Sequence, residues 1–534
     1  MTENKNHWWQ SHADAVAGCV TLLGFVARLW TASGTFLNPD EALHFRLANQ
    51  PTLIETYKQS LTNSHPPLLF FLLHFWRAFG TSELWLRMPS VIAGTVFCWI
   101  FYKWLTKAAG ELAGIIGLFL VALLPPMILL SAEVRQYALL IAFLAGAMYC
   151  LDEAFRENSF NRIALCALCL GLALLSQYSA LLFVVALGVY ALYRFFSERS
   201  RARLLAPWAV GQLAVLALAI FLYKTHLSKL GGPGNSAIHG WLRYYIPSYF
   251  NPAHDKALLF VLGHSFGIFQ YFFGQLAVGD VMGLLFLIAV LLLLRGKGAG
   301  NVQSSHRLGL LLLLSFAVAV VAGVSQSYPY GGTRHMAFLI LPAIAGVSAG
   351  IGLLAAGKWT RAVAMAALVV VACLAFGKPR QPWISRADQS RAHMTAAMDF
   401  IRNNVNSADL IFTDYQSDLI LGHYLCDEHP ISMEAAPANF EQFSCGGHRI
   451  VSMDFRGWSF ASASFARGWQ RVVQAYSLKA GDTVWVFQAG WGVDVPEELR
   501  RNLAEFRDLR FEWFGKNINI FKMTVGQPVP VSAP

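Results

Sequence analysis

The most constraining feature of this chain is its repeated alternation of long apolar blocks with short polar connectors. The blocks run roughly 15–22 residues, about what a helix needs to cross roughly 30 Å of hydrocarbon. A segment in hydrocarbon must satisfy its backbone N–H and C=O groups internally, so blocks of this length predict spanning helices and not barrel strands. Composition agrees: 56% of residues are hydrophobic and 13% charged, against about a quarter charged in a soluble globular chain.

Apolar length and polar flanks place spans at 15–31, 89–105, 112–130, 137–154, 162–178, 179–194, 204–223, 277–294, 308–325, 336–356 and 361–377, about eleven crossings. Pro66–Phe79 is short and interrupted by His74 and Arg77; Lys256–Gly274 carries His264, Gln270 and three glycines. Both read as interfacial or re-entrant helices. The basic connectors at 103–107, 156–162, 194–203, 295–307 and 358–361 then share one side, which the positive-inside rule makes cytoplasmic. The formal charge of +10 is spread through these connectors, which speaks for topology and against a nucleic-acid partner. The polar, partly acidic start is not a cleavable signal, so the first block is expected to remain as an anchor with the N-terminus inside.

An odd number of crossings puts the connectors 32–88, 131–136, 224–276 and 326–335 outside, together with the tail 378–534. The expected fold is therefore a polytopic α-helical membrane domain, residues 1–377, followed by an extracytoplasmic domain, 378–534. In that tail, β-rich runs (DLIFTD, HRIVSMDF, TVWVFQAG, INIFKMTV) alternate with helical stretches such as SRAHMTAAMDFIRNN and PEELRRNLAEF, the pattern of a small α/β domain. Six of the eight cysteines lie in or beside apolar blocks, where a thiol acts as a small hydrophobe. Cys426 and Cys445 lie in the tail, and an outer location predicts a disulfide between them.

The outer segments hold most of the candidate chemistry. The first begins N-P-D-E-A-L-H: Asn38 can cap a helix, Pro39 fits its first position, and Asp40 and Glu41 sit near the positive end of the helix dipole. One reading is a capping box closed by Glu41; the other is an acidic pair holding a general base. Neighbouring helix residues point about 100° apart, so one carboxylate is base and the other support. His44, four residues after Asp40, can orient it; a metal site is the weaker alternative for so few ligands.

Downstream, N-S-H-P-P sets His65 at an extended entry to an amphipathic segment. S-A-E-V-R-Q-Y puts Glu133, Arg135 and Tyr137 at the outer boundary of a span, where ionisable groups are costly and often mark a substrate path. In S-Y-P-Y-G-G-T-R-H, two glycines stand beside Arg334 and His335 at headgroup level, suited to a lipid phosphate. T-D-Y-Q-S-D (Thr413–Asp418) reads as a solvated loop, with glycan binding as the functional alternative.

These motifs in this order, with R-M-P-S (Arg87–Ser90) and S-Q-Y-S-A (Ser176–Ala180), resemble the GT-C membrane glycosyltransferases, in the branch of protein O-mannosyltransferases and lipid A aminoarabinose transferases. The resemblance covers roughly residues 10–375. It implies an inverting transfer of sugar from a polyprenyl-phosphate carrier, on the outer face of a bacterial inner membrane, to an envelope glycolipid, glycan or protein, as in lipopolysaccharide or glycan modification. Asp40 would be the general base with Glu41 beside it, and Arg135, Tyr137, Arg334, His335 and His65 would bind the donor phosphate. His44 and Glu133 would support; many members carry an Asp after the arginine motif, where this chain has Glu133 before it. No cofactor is implied beyond a divalent metal on which related members differ. The competing readings are a transporter or flippase of polyprenyl-linked sugars and a non-catalytic carrier-binding subunit. A transporter should carry ionisable groups midway through its spans, and these span centres are largely uncharged.

Overall fold

The structure is a computed structural model. It describes residues 4–230, 247–298, 302–355, 389–407, 409–426, 431–437, 440–454, 460, 462–491 and 511–525. In chain order the helices are α1 (Asn4–Ser33), α2 (Pro39–Ala48), α3 (Leu53–Ser60), α4 (Leu68–Trp76), α5 (Glu83–Ala109), α6 (Glu111–Leu123), α7 (Pro125–Leu130), α8 (Tyr137–Glu157) and α9 (Phe160–Ser176). They continue with α10 (Ala180–Ser197), α11 (Leu205–Leu222), α12 (Ala257–Phe273), α13 (Leu276–Leu294), α14 (Val302–Val324) and α15 (Ile340–Leu354). The chain divides into two compact units. One is Met1–Ala32, Tyr57–Leu72 and Leu84–Ile384; the other is Ser33–Thr56, Leu73–Glu83 and Ser385–Pro534.

The first unit is helical. Among the described residues, 8 helices are long and apolar enough to cross a membrane, from Ala13–Ser33 to Arg334–Leu354. Four apolar helices are shorter: Leu68–Phe79, Glu111–Leu123, Phe160–Ser176 and Ala257–Phe273. The first and last of these are the segments expected to be interfacial. The other two fall in blocks counted as spans. Block 112–130 is broken by Pro125 and Pro126 into α6 and α7, and block 162–178 ends in extended backbone at Gln177. The expected span 361–377 lies outside the described residues.

The proline break has a specific partner. Proline has no N–H, so Pro125 and Pro126 leave the carbonyls of Val121 and Ala122 without their usual helical donors. The buried guanidinium of Arg28 supplies them, its Nη2 donating to Val121 O at 2.8 Å and its Nη1 to Ala122 O at 2.9 Å. Arg87 acts similarly at the end of α1, donating to Ala32 O at 2.7 Å. Elsewhere α8 packs along α9, and α12 along α13. Gly279 permits the second contact, since a Cβ there would strike the backbone of Gln270. Close approach through small residues is how helices associate where burial offers no hydrophobic gain.

The second unit is built on a 6-stranded sheet of order β2-β3-β1-β4-β6-β5. The strands are β1 (Leu410–Thr413), β2 (Glu441–Cys445), β3 (His448–Ser452), β4 (Thr483–Ala489), β5 (Phe511–Trp513) and β6 (Ile518–Thr524). β3, β1 and β4 run parallel, with antiparallel β2 and β6 beside them. The helices are α16 (Arg391–Asn404), α17 (Tyr415–Leu425) and α18 (Ser462–Ala475). Phe412, Val451, Phe465, Val486 and Phe521 form its core. The four β-rich runs of the sequence are β1, β3, β4 and β6, and SRAHMTAAMDFIRNN is α16; PEELRRNLAEF lies outside the described residues. Thr413–Asp418 is not a solvated loop. It joins β1 to α17, with Asp414 capping the helix and Asp418 buried in its first turn. A disulfide joins Cys426 to Cys445, with 4.8 Å between Cα atoms, tying the end of α17 to the end of β2.

Candidate active site

In the second unit the acidic motif forms the start of α2. Asn38 Oδ1 accepts from Glu41 N at 3.1 Å, and Glu41 Oε2 accepts from Asn38 N at 3.0 Å, a complete capping box. Glu41 is buried and spends its carboxylate on the helix end, while Asp40 is half-buried. His44 Nδ1 donates to the backbone carbonyl of Asp40 at 2.5 Å. Among the described residues no three His, Cys, Asp or Glu side chains converge to hold a metal ion.

The other end of α2 meets charges that the sequence did not connect to it. Arg46 Nη1 donates to Asp418 Oδ2 at 2.9 Å, and its Nη2 lies 3.5 Å from Glu441 Oε2. Burial works against the Arg46 charge, yet Asp418, Tyr415 and Glu441 together hold its proton more tightly than usual. Burial pushes the Glu441 carboxyl up to about 7, against the pull of Arg46. Burial also lifts Asp414 to about 6, although it accepts from the N–H groups of Ser417 and Phe460, each at 2.9 Å. Nothing local pairs these residues in the sequence; Arg46 and Asp418 are 372 positions apart.

In the first unit the remaining candidates gather at the head of α8. Arg135 N donates to Glu133 O at 2.8 Å, closing a tight turn, and Ser90 of the R-M-P-S motif donates to Arg135 O at 3.0 Å. The buried Arg135 guanidinium lies 5.7 Å from the ring centre of Tyr137. Arg334 opens a 3₁₀ turn, Arg334–Leu339, after the two glycines. Arg334, Tyr137, Glu133 and Arg135 all act electrostatically on the buried Tyr271 of α12, so four sequence-predicted residues share one neighbourhood. The Tyr137 hydroxyl and the Gln136 amide are buried with no hydrogen-bond partner among the described residues, which is where a polar ligand gains most.

His65 joins from its loop, bonding through Nδ1 to Gln177 Oε1 of the S-Q-Y-S-A motif at 3.3 Å. The same loop is held by His226, whose Nε2 donates to Asn63 O at 2.6 Å and whose Nδ1 pairs with the Tyr178 hydroxyl. Gln177 and Tyr137 both lie around Tyr328 of the S-Y-P-Y segment, which donates to His335 O at 3.3 Å. The structure thus gathers His65, Glu133, Arg135, Tyr137, Arg334 and His335 within one unit, and Asp40, Glu41 and His44 within the other. A cavity of about 280 Å³ lies elsewhere, lined by Asp152, Arg194, Glu198 and Arg307. Asp152 is 15 residues along α8 from Tyr137, roughly 22 Å at a helical rise. Its charges pair with each other, Arg194 with Asp152 at 2.8 Å and Arg307 with Glu198 at 3.0 Å.

Residues 64–224 match the family model described as dolichyl-phosphate-mannose-protein mannosyltransferase. This stretch includes His65, Glu133, Arg135 and Tyr137. No curated protein sequence matches the chain. Among solved structures it is similar to ArnT from Cupriavidus metallidurans bound to undecaprenyl phosphate, with TM-score 0.53 and 14% identity over 96% of this chain and 98% of that one. It is also similar to an Archaeoglobus fulgidus oligosaccharyltransferase tethered with an acceptor peptide, with TM-score 0.52 and 10% identity over 90% of this chain and 70% of that one. The chain has the GT-C fold. In GT-C terms it is a multi-pass membrane protein with a small C-terminal sheet domain. Identities this low speak to architecture, and the chemistry has to be argued from this chain's own residues.

Proposed function

We propose that this chain is an inverting glycosyltransferase that moves a sugar from a polyprenyl-phosphate carrier to a hydroxyl or phosphate of an envelope glycolipid, glycan or protein. The work is done on the outer face of a bacterial inner membrane, with the N-terminus inside and the tail 378–534 outside. The observation that carries the reading is the gathering around Tyr271 of Arg135, Arg334 and the Tyr137 hydroxyl, which has no hydrogen-bond partner among the described residues. The match to a dolichyl-phosphate-mannose-dependent family and the likeness to ArnT bound to undecaprenyl phosphate support a lipid-phosphate donor.

For a hydroxyl acceptor the step is a direct displacement. Asp40 takes the acceptor proton as the acceptor oxygen bonds to the anomeric carbon; the bond from that carbon to the phosphate oxygen breaks, and its electron pair leaves with the carrier. Attack from the opposite face inverts the centre. Glu41 is committed to the capping box, so the base role falls to its neighbour. Arg135 and Arg334 meet the charge growing on the phosphate, with Tyr137, His65 and His335 as donors and His44 and Glu133 in support. Fixed cations and dipoles aimed at developing charge commonly supply the largest share of such a rate enhancement.

The test is radiolabelled sugar transfer from a panel of polyprenyl-phosphate sugars into cell-envelope fractions. Asp40→Asn should lower transfer roughly 10²–10⁴-fold at matched expression, and Arg135→Gln roughly 10²–10³-fold. A wild type that consumes no donor, or a fully active Asp40→Asn, would reject the reading in favour of transport or carrier binding.

A further inference from the structure

Open α/β sheets take their ligands in the crevice beyond the carboxyl ends of the parallel strands. In this chain that edge is formed by Asp414 after β1, Ser452 at the end of β3 and Gly490 after β4. What occupies it is the chain's own helix α2. Arg46 reaches Asp418 in the first turn of α17, and Ser452 donates to the same Asp418 Oδ2 at 3.1 Å. The Arg46 guanidinium also lies 5.7 Å over the Phe443 ring of β2.

The start of α2 is held as firmly. Leu37 N donates to the Tyr424 hydroxyl at 2.8 Å, and that hydroxyl donates to Glu83 at 2.9 Å. Pro39 packs on Gly490, where a Cβ would come within 2.8 Å of the proline ring and where φ is +113°. Gln416 fixes that turn, donating to Trp491 O at 2.7 Å and accepting from Trp491 N at 3.1 Å. Between the two ends, Phe45 meets His423 edge-on with ring centres 5.5 Å apart. Asp40 is carried by a ten-residue helix fastened at its start, its middle and its end.

We propose that the carboxyl edge of the C-terminal sheet is a clamp for the acidic-motif helix, with Arg46 and Asp418 as positioning residues for Asp40. The proposal rests on the reading of Asp40 as general base. A rigidly held base matters because misplacement by about 1 Å can cost roughly 100-fold in rate. Arg46 acts through planar two-sided geometry as well as charge, since its fork serves Asp418 and Glu441 together. Facing Glu441 are Arg46 from α2, Asp418 and Tyr415 from α17 and Asp454 after β3, so the grip contains both signs of charge.

The test uses the full chain purified in detergent, with transfer kinetics and amide hydrogen exchange on the peptide covering 37–48. Arg46→Gln and Asp418→Asn should each lower kcat by about 10- to 100-fold, leave the donor KM within about threefold, and speed exchange across α2. Arg46→Lys keeps the charge without the fork and should fall between, so the proposal stays testable if the harsher variants fail to fold. Unchanged kcat in Arg46→Lys and Asp418→Asn, or unchanged α2 exchange, overturns the clamp. Full activity of Asp40→Asn overturns the base assignment instead, while the exchange data still decide the clamp.

Discussion

Two arginines, the buried Arg28 and the half-buried Arg46, meet their charge in different ways. Arg28 in the helical unit is met by backbone carbonyls, two of which a pair of prolines has left unserved. Arg46 in the sheet unit is met by two carboxylates from distant strands and helices. The first arrangement answers a defect in one helix through backbone oxygens. The second joins separate elements and contains Glu441, whose carboxyl burial raises to about 7. Arg28 therefore serves backbone carbonyls that a helix break left open, whereas Arg46 joins side chains of separate elements.

Arg46→Ala leaves Asp418 buried without its cation, which should cost about 3–5 kcal/mol of local stability; exchange of the β1 and α17 amides measures it. Arg28→Met should cost less, about 1–3 kcal/mol for carbonyls losing their donors. Its signature is a rescue: with Pro125→Ala and Pro126→Ala the helix can supply its own N–H groups, and thermal melting in detergent should recover part of the loss.

Acidity separates the two next. Asp414 and Glu441 have carboxyls raised by burial, to about 6 and about 7. The folded unit then binds protons more readily than the unfolded chain, so this stabilisation is complete below the unfolded values and is lost as pH rises through 6 and 7. Amide protection in β1 and α17, corrected for intrinsic rates, should fall from pH 5 to pH 7.5, while protection around Val121 stays level. A rise in β1 protection over that range would contradict the assignment. The smallest effect belongs to the exposed pair Lys103–Asp14, 2.7 Å apart; Asp14→Asn should shift stability by less than about 1 kcal/mol.

Local rules carried far. The capping box at Asn38 and Glu41 follows from spacing alone, because its partners are three residues apart. The span positions follow from apolar length, and the β-rich runs became strands because their residues alternate or bury on both faces. β2 and β5 were missed because they are short edge strands, half exposed and without a clear hydrophobic signal. Thr413–Asp418 misled for the opposite reason: its polar residues look solvated, but Asp414 caps α17, Asp418 meets Arg46 and Gln416 holds the turn at Trp491.

The sequence by itself determined a multi-pass helical chain, the order of its motifs and the capped acidic helix, since all three depend on neighbours a few residues apart. The tertiary structure decided that α2 is grouped with the C-terminal sheet, that Arg28 answers Pro125 and Pro126, and that Tyr271 stands among Glu133, Arg135, Tyr137 and Arg334. Those pairings link positions far apart in the chain, and which buried charge meets which partner is settled only when packing leaves each desolvated group a single place to be satisfied.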